Sequence, residues 1–210
     1  MFSDDIILEA CVGDVATSVK AQQNGAHQLE LCGRLDLDGL TPDIELIQAV
    51  RNAVNIPIKV MLRNRGGDFV YSQSDIDEMK KSLPVLLEQD IQGIVFGALH
   101  QDGTINIELT NEICEMAGKL PVTFHKAIDV ANNILEATIS LKQTDIKEIL
   151  TSGGKLTAVE GIDVIKQMIQ IVGDQINIMS AGKVTNENIL DLHKILGSSH
   201  FHGKGIVGKL

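Results

Sequence analysis

The sequence predicts an α/β fold: a single-domain (β/α)₈ parallel barrel over residues 1–210 that lacks its last helix. Short apolar runs alternate with helical stretches, and this order implies parallel strands joined by right-handed crossovers. The early strands have one polar and one apolar face, as in the first, where Glu9 and Cys11 alternate with Leu8 and Ala10. Central strands of a doubly wound open sheet, the rival fold, are apolar on both faces. The pattern therefore favours a barrel with an unusually charged interior.

The elements follow one another in a regular order along the chain. Eight strands are predicted at residues 6–12, 28–33, 58–63, 93–99, 122–128, 148–153, 176–181 and 199–203. Seven helices are predicted at residues 15–24, 42–54, 75–89, 108–117, 134–143, 158–172 and 186–196. Thr41 and Pro42 suggest the start of the second helix, and Thr157 with Glu160 form a capping box ahead of the sixth. Pro84 should kink the third helix or end it near Leu83.

Composition and charge exclude several classes of function. The net charge of -10 argues against binding to nucleic acid or to an anionic membrane. The opening segment Met-Phe-Ser-Asp-Asp is short and acidic, so no signal peptide is expected. No apolar run is long enough to span a bilayer. Three widely spaced cysteines fit reduced thiols in a cytosol better than a disulfide framework. These features indicate a cytoplasmic protein.

Arginines mark the expected site of the barrel. Three of the four in the chain, Arg34, Arg63 and Arg65, follow the carboxyl ends of two neighbouring predicted strands. Barrel active sites lie at this end, and the guanidinium group matches a carboxylate or phosphate. The pattern predicts a site for a small anionic ligand.

Acid–base residues should converge on the same end of the barrel. Glu9, Glu30, Arg63 and His125 share the inward parity on four strands. One interpretation is an enzyme in which Arg63 and Arg65 hold an anionic metabolite, while His125 moves a proton with a glutamate as its partner. The other is an internal ion-pair network that does no chemistry.

Two glycine-containing turns are candidate phosphate cradles. They follow the sixth and seventh strands and comprise Ser152, Gly153, Gly154, Gly182 and Lys183. Backbone amides in such turns suit phosphate, although ordinary turn chemistry explains the glycines equally well. Residues 203–208 have the glycine spacing of a dinucleotide-binding loop, but no βαβ unit surrounds them. We expect a flexible tail there.

Several motifs in order resemble the CutC family, named for copper homeostasis. They include Leu29-Glu-Leu-Cys32, Arg65-Gly-Gly-Asp-Phe-Val-Tyr-Ser72, Pro121-Val-Thr-Phe-His125 with Asp129, and Leu150-Thr-Ser-Gly-Gly154. The resemblance runs from about residue 7 to about residue 202. It implies a single-domain TIM barrel in the cytoplasm and a role in copper handling. It also places Asp129 with His125, among the candidate catalytic residues.

Cys11 and Cys32 are the candidate copper ligands. They share the parity of Glu9 and Glu30 on adjacent strands, so their sulfurs should approach each other. His200 and His202 lie on the predicted eighth strand, which neighbours the first in a closed barrel. Soft thiolates select Cu(I), which makes Cu(I) the expected cofactor. The alternative is that both cysteines are small core residues, as we expect for Cys114 within a helix. A missing eighth helix should expose apolar flanks of strands one, seven and eight, which predicts a homodimer or higher homo-oligomer.

Overall fold

A closed barrel of eight parallel strands forms the centre of the computed structural model, which describes residues 6–210. The strands are β1 Ile7–Val12, β2 Gln28–Leu31, β3 Ile58–Met61, β4 Gly93–Phe96, β5 Val122–Phe124, β6 Glu148–Thr151, β7 Asn177–Ser180 and β8 His200–Gly203. They are hydrogen-bonded in chain order, and β8 closes the barrel against β1. The first five residues, on which the expectation about a signal peptide depends, lie outside the described part.

Helices alternate with the strands and surround the barrel. They are α1 Val15–Gln23, α2 Ile44–Ala53, α3 Gln73–Leu87, α4 Ile107–Ala117, α5 Ile134–Leu141, α6 Ile162–Val172 and α7 Ile189–Leu196. Two 3₁₀ helices, Leu35–Leu37 and Lys126–Val130, lie in loops at the carboxyl end of the barrel. Within residues 6–210 no helix follows β8. The predicted fold, including the missing last helix, is confirmed.

The alternation of side chains along the strands separates an apolar core outside the barrel from a polar interior inside it. Leu8, Leu29 and Ile58 point outward into the main core between strands and helices, with at most 2% of their surface exposed. The opposite face of the same strands carries buried polar groups, including Glu9, Glu30 and Lys59. Burying charges in this way requires partners for them, and these are found inside the barrel.

Local boundaries differ from the sequence prediction where a side chain caps the backbone. Asp43, not Thr41, is the N-cap of α2, because its carboxylate accepts the backbone N–H of Leu46. Thr157 and Glu160 exchange the two hydrogen bonds of a capping box, yet α6 begins only at Ile162. α3 continues through Pro84 to Leu87 instead of ending near Leu83. Helix type and order were predictable, whereas these ends were not.

The segment after β8 covers the sector where a last helix would lie. Ile206 is fully buried in the main core, and Leu210 packs against that core. The carbonyl of Val207 accepts a hydrogen bond from the side-chain amide of Asn24, at the end of α1. The expected flexible tail is therefore wrong. The expected exposure of the barrel flank is also wrong, since Leu8 and Phe201 are buried, and the homodimer it suggested stays a prediction.

Candidate functional site: a thiol pocket above a charged barrel interior

An ion-pair network fills the lower barrel interior. The ammonium of Lys59 lies 2.8 Å from the carboxylate of Glu9 and also pairs with Glu148. Glu148 further contacts the imidazole of His200 at 2.8 Å. Glu9 accepts the side-chain amide of Gln28 at 2.7 Å. The charged interior predicted from strand parity is therefore present, and it is internally paired.

His202 on β8 connects this network to the upper barrel. Its Nδ1 lies 2.9 Å from Oε1 of Glu9, and its Nε2 lies 3.6 Å from Oε2 of Glu30. Burial opposes its ionisation, but Glu30, Cys11 and Glu9 raise the pKa of His202 well above its ordinary value. Burial likewise opposes ionisation of Glu9, yet Lys59 and His202 lower the pKa of Glu9 to about 2. The two side chains thus form a buried charged pair.

Two cysteine thiols lie directly above this pair. Cys11 and Cys32 are buried and unoxidised, and their sulfurs and a Glu30 oxygen lie within 4.8 Å of one another. Glu9, Glu30 and His202 form a second such group. The two groups share Glu30, so together they form one buried cluster of side chains, the thiol pocket: Glu9, Cys11, Glu30, Cys32 and His202. The predicted approach of the sulfurs therefore follows from the β1–β2 register, which places Cys11 beside Glu30.

The two thiols differ in their acidity. A hydrogen bond from Cys32, together with the His202 imidazolium, lowers the pKa of the Cys11 thiol well below its usual value, against the cost of burial. The same hydrogen bond and burial raise the pKa of the Cys32 thiol. Burial and the charges of Cys11 and Glu9 raise the pKa of Glu30 to about 8, against the opposing charge of His202. These shifts favour the thiolate form of Cys11 and the protonated forms of Cys32 and Glu30.

A loop covers the pocket. Leu35, in the first 3₁₀ helix, packs onto a buried cluster formed by Cys11, Cys32, Met61 and Val95. This loop places Arg34 and Asp38 in the left-handed backbone region, with φ of 45° and 61°. Such values are uncommon for residues other than glycine, so the surrounding contacts must hold the loop in place.

Arg63 provides those contacts. Its guanidinium donates to the carbonyls of the covering loop and of Gly67, and it stacks on the ring of Phe69 at 4.7 Å. Within residues 6–210 it forms no salt bridge with a carboxylate. Arg65 instead pairs with Asp68 and Asp75. Both arginines thus bind groups of the chain itself, and an external anion site at these residues stays a prediction.

His125 lies apart from the glutamates. Its ring also contacts that of Phe69, at 4.9 Å between centroids, and its Nδ1 accepts the backbone N–H of Ala127. Burial and the charge of Arg63 lower the pKa of His125 to about 3. The expected pairing of His125 with Glu9 or Glu30 is not observed, because His202 takes that place. Glu9 and Glu30 therefore form one group, and Arg63 and His125 form a separate group around Phe69.

The predicted phosphate cradle after β6 holds a carboxylate of the chain itself. Asp129 accepts hydrogen bonds from the backbone N–H groups of Ser152 and Gly154 and lies 2.6 Å from the ammonium of Lys126. The backbone N–H of Gly153 donates a hydrogen bond to the hydroxyl oxygen of Thr151. In the neighbouring turn the carbonyl of Gly182 accepts the N–H of Ala158, and Lys183 is exposed. These turns are hydrogen-bonded within the chain, and phosphate binding by them stays a prediction.

The site residues predicted from the sequence do not include Lys59, Glu148 or Met61, and His202 was predicted only to lie on the strand that neighbours β1. Lys59 and Met61 occupy every second position before Arg63 and so share its face of the strand. This parity alone could have placed them inside the barrel. His202 required the closure of β8 onto β1, which brings it beside Glu9. None of these signals is a motif with fixed spacing.

Fold and site together define a class of protein: a (β/α)₈ barrel with a buried thiol–carboxylate–imidazole pocket at the carboxyl ends of its strands. The CutC family model matches residues 6–207, and the chain belongs to the CutC family. It is 36% identical over 200 residues to the human copper homeostasis protein cutC homolog, covering 95% of this chain and 73% of that protein. The mouse homolog of the same name is 37% identical over 196 residues, covering 93% and 72%.

A solved structure shares the architecture over nearly its full length. The structure named for the copper homeostasis protein CutC of Streptococcus agalactiae superposes with a TM-score of 0.88. It is 27% identical and covers 96% of this chain and 99% of that one. No helix within residues 6–210 combines the length and apolar character needed to cross a membrane.

Proposed function

We propose that the protein binds Cu(I) through the thiolates of Cys11 and Cys32 and takes part in copper homeostasis. The observation that carries the proposal is the approach of both sulfurs and a Glu30 oxygen to within 4.8 Å of one another. Thiolates are the ligands that Cu(I) prefers, and two can suffice. The names of the human and mouse relatives point the same way.

The surroundings suit a monovalent soft cation. Cys32 and His202 lower the pKa of the Cys11 thiol, which favours the anionic form that binds the metal. Binding of the ion would release the proton of Cys32, because a metal-bound thiol is deprotonated. Two thiolates and one Cu⁺ leave one negative charge, which would lie beside the His202 imidazolium that also pairs with Glu9.

Titration of the purified, reduced protein with Cu(I) against a chromophoric chelator tests this proposal. The wild type should compete for one ion per chain, whereas Cys11→Ser and Cys32→Ser should each bind it much more weakly. Cys114→Ser is the matched control, since this third buried cysteine lies in α4 outside the thiol pocket. Equal loss in all three variants, or a wild type that fails to compete, would overturn the proposal.

Cytoplasmic location and self-association belong to the same proposal. Three free, buried thiols fit a reducing compartment. α7 flanks the sector without a last helix and leaves Leu190 and Ile195 about half exposed, at 46% and 49%. These side chains support a homodimer through α7, which sedimentation of the wild type and of a Leu190→Lys variant would test. A wild-type monomer at micromolar concentration would contradict it.

A further inference from the structure

Met61, the last residue of β3, belongs to the same buried cluster as Cys11 and Cys32. It follows Lys59 by two residues, so both side chains point to the barrel interior. β3 lies next to β2, which carries Glu30 and leads directly into Cys32. Met61 is only 5% exposed and does not belong to the main core. Its thioether is therefore a third sulfur inside the barrel mouth.

The thioether and the thiols pack against each other. Cys11, Cys32, Met61 and Val95 form one buried cluster, separate from the main core. A Cβ placed on Gly39 would lie 3.0 Å from Sγ of Cys32 and 3.8 Å from the methyl carbon of Met61. The terminal part of the Met61 side chain and the Cys32 thiol are thus neighbours beneath the same backbone segment.

A thioether adds a ligand of distinct chemistry. It is soft, neutral and has no proton to lose, so it favours Cu(I) and contributes little to a site for Zn²⁺. The methionine side chain is unbranched and has three rotatable bonds, so its sulfur can turn towards an ion without movement of the backbone. A leucine would fill the same space but could not bind a metal.

We infer that Met61 is a third sulfur ligand of the Cu(I) site and the residue that makes the site selective for Cu(I) over Zn²⁺. This inference rests on the proposed function, because it requires that Cys11 and Cys32 bind Cu(I). It extends that function by adding a neutral ligand to the two thiolates, which leaves the charge of the bound complex unchanged.

The test compares Met61→Leu with a matched control, Met179→Leu. Met179 is a buried methionine on β7, but it packs in a separate cluster with Leu150 and Ala181. Methionine-to-leucine changes conserve volume, so both variants should fold, and thermal melting checks this. Competition with a Cu(I) chelator should show at least about tenfold weaker binding by Met61→Leu, since even partners of metal ligands contribute 10–100-fold. Met179→Leu should bind like the wild type.

Two further measurements separate a ligand from a packing residue. X-ray absorption of the Cu(I)-loaded proteins should count three sulfur neighbours in the wild type and in Met179→Leu, and two in Met61→Leu. Titration with Zn²⁺ should give the same affinity for the wild type and Met61→Leu, because the thioether is a poor zinc ligand.

The outcomes distinguish this inference from the proposed function. Wild-type affinity and an unchanged sulfur count in Met61→Leu would overturn the inference and leave the copper site intact. Equal weakening by Met61→Leu and Met179→Leu, or a parallel loss of Zn²⁺ binding, would also overturn it by assigning Met61 to packing. A wild type that takes up no Cu(I) would overturn both.

Discussion

The backbone N–H of Ser152 donates to both carboxylate oxygens of Asp129, at 3.1 and 3.0 Å. The N–H of Gly154 and the hydroxyl of Thr151 donate to the same group, whose side chain is only 8% exposed. The loop after β5 thus places an anion in the donor-rich turn after β6. An aspartate of the chain occupies the position that such a turn offers to a bound phosphate.

Removing this carboxylate should create an anion site. Asp129→Ala leaves several buried donors without a partner, so we expect the free energy of unfolding to fall by roughly 3 kcal/mol. Formate should then restore stability, by about 2.7 kcal/mol at 100 times its dissociation constant. Denaturation of the variant with and without formate measures both effects. Asp174→Ala, at an exposed position, is the control and should respond to neither. A variant as stable as the wild type would contradict the expectation.

Arg63 should stabilise the loop that covers the thiols. Arg63→Ala removes the donors that bind the carbonyls of Leu37, Asp38 and Gly39, which would then be left unpaired. The free energy of unfolding should fall by about 3 kcal/mol, and amide exchange should accelerate in this loop. Arg34→Ala is the control, because Arg34 makes only a solvent-exposed pair with Asp36, and such pairs contribute little to stability. Unchanged exchange in the loop would show that Arg63 does not hold it.

Glu30 should make the stability of the metal-free protein fall with rising pH. Its pKa is raised from 4.5 to about 8, so the folded chain retains a proton that the unfolded chain releases. The stabilisation is complete below pH 4.5 and is lost as the pH rises through 8. Glu30→Gln cannot ionise, so its melting temperature should be close to that of the wild type near pH 5 and higher near pH 9.

The matched control for this pH effect is the exposed Glu115→Gln, which should follow the wild type at every pH. A Glu30→Gln variant that is less stable than the wild type at high pH would show that the ionised carboxylate is well paired. That result would reverse the direction assigned to the pKa of Glu30.

The segment after β8 should contribute to global stability. Ile206 is fully buried against the main core, and Ile206→Ala should cost roughly 2–5 kcal/mol through lost contacts and the cavity left behind. Leu156→Ala is the control, since Leu156 is 81% exposed and should change stability by no more than about 0.5 kcal/mol. Urea denaturation compares the two. Equal stabilities would mean that the segment is not part of the cooperative unit.

Strand parity was sufficient to predict the barrel. Leu29 and Glu30 alternate between two faces that are both buried, and only a closed sheet with a charged interior accommodates that alternation. Strand ends were predicted too long because local capping competes with the ladder. β5 ends at Phe124, since the ring of His125 caps the following 3₁₀ helix. Side-chain capping likewise moves the N-cap of α2 from the expected Thr41 to Asp43.

The contact between Cys11 and Cys32 was predictable from strands consecutive in the chain, whereas the contact of Glu9 with His202 on the closing strand and the loop contact of Asp129 were not. Cys11 and Cys32 belong to consecutive strands, so their parity already implied their approach. Glu9 and His202 are 193 residues apart, and their pairing depends on which strand closes the barrel. Asp129 reaches the turn at Ser152 from another loop, a contact that depends on the exact path of both loops. Nothing in the local sequence encodes these two relationships.

If Cu(I) binds between Cys11 and Cys32 as proposed, the cover formed by Leu35 would separate how tightly the ion is bound from how fast it is exchanged. A chelator or a delivery protein cannot touch the sulfurs while this side chain lies over them, so transfer must wait for the loop to open. The residence time of the ion would then depend on the opening of residues 34–39 as well as on the strength of the metal–sulfur bonds. A substitution in this loop could therefore change the speed of copper exchange many-fold while leaving the equilibrium affinity untouched.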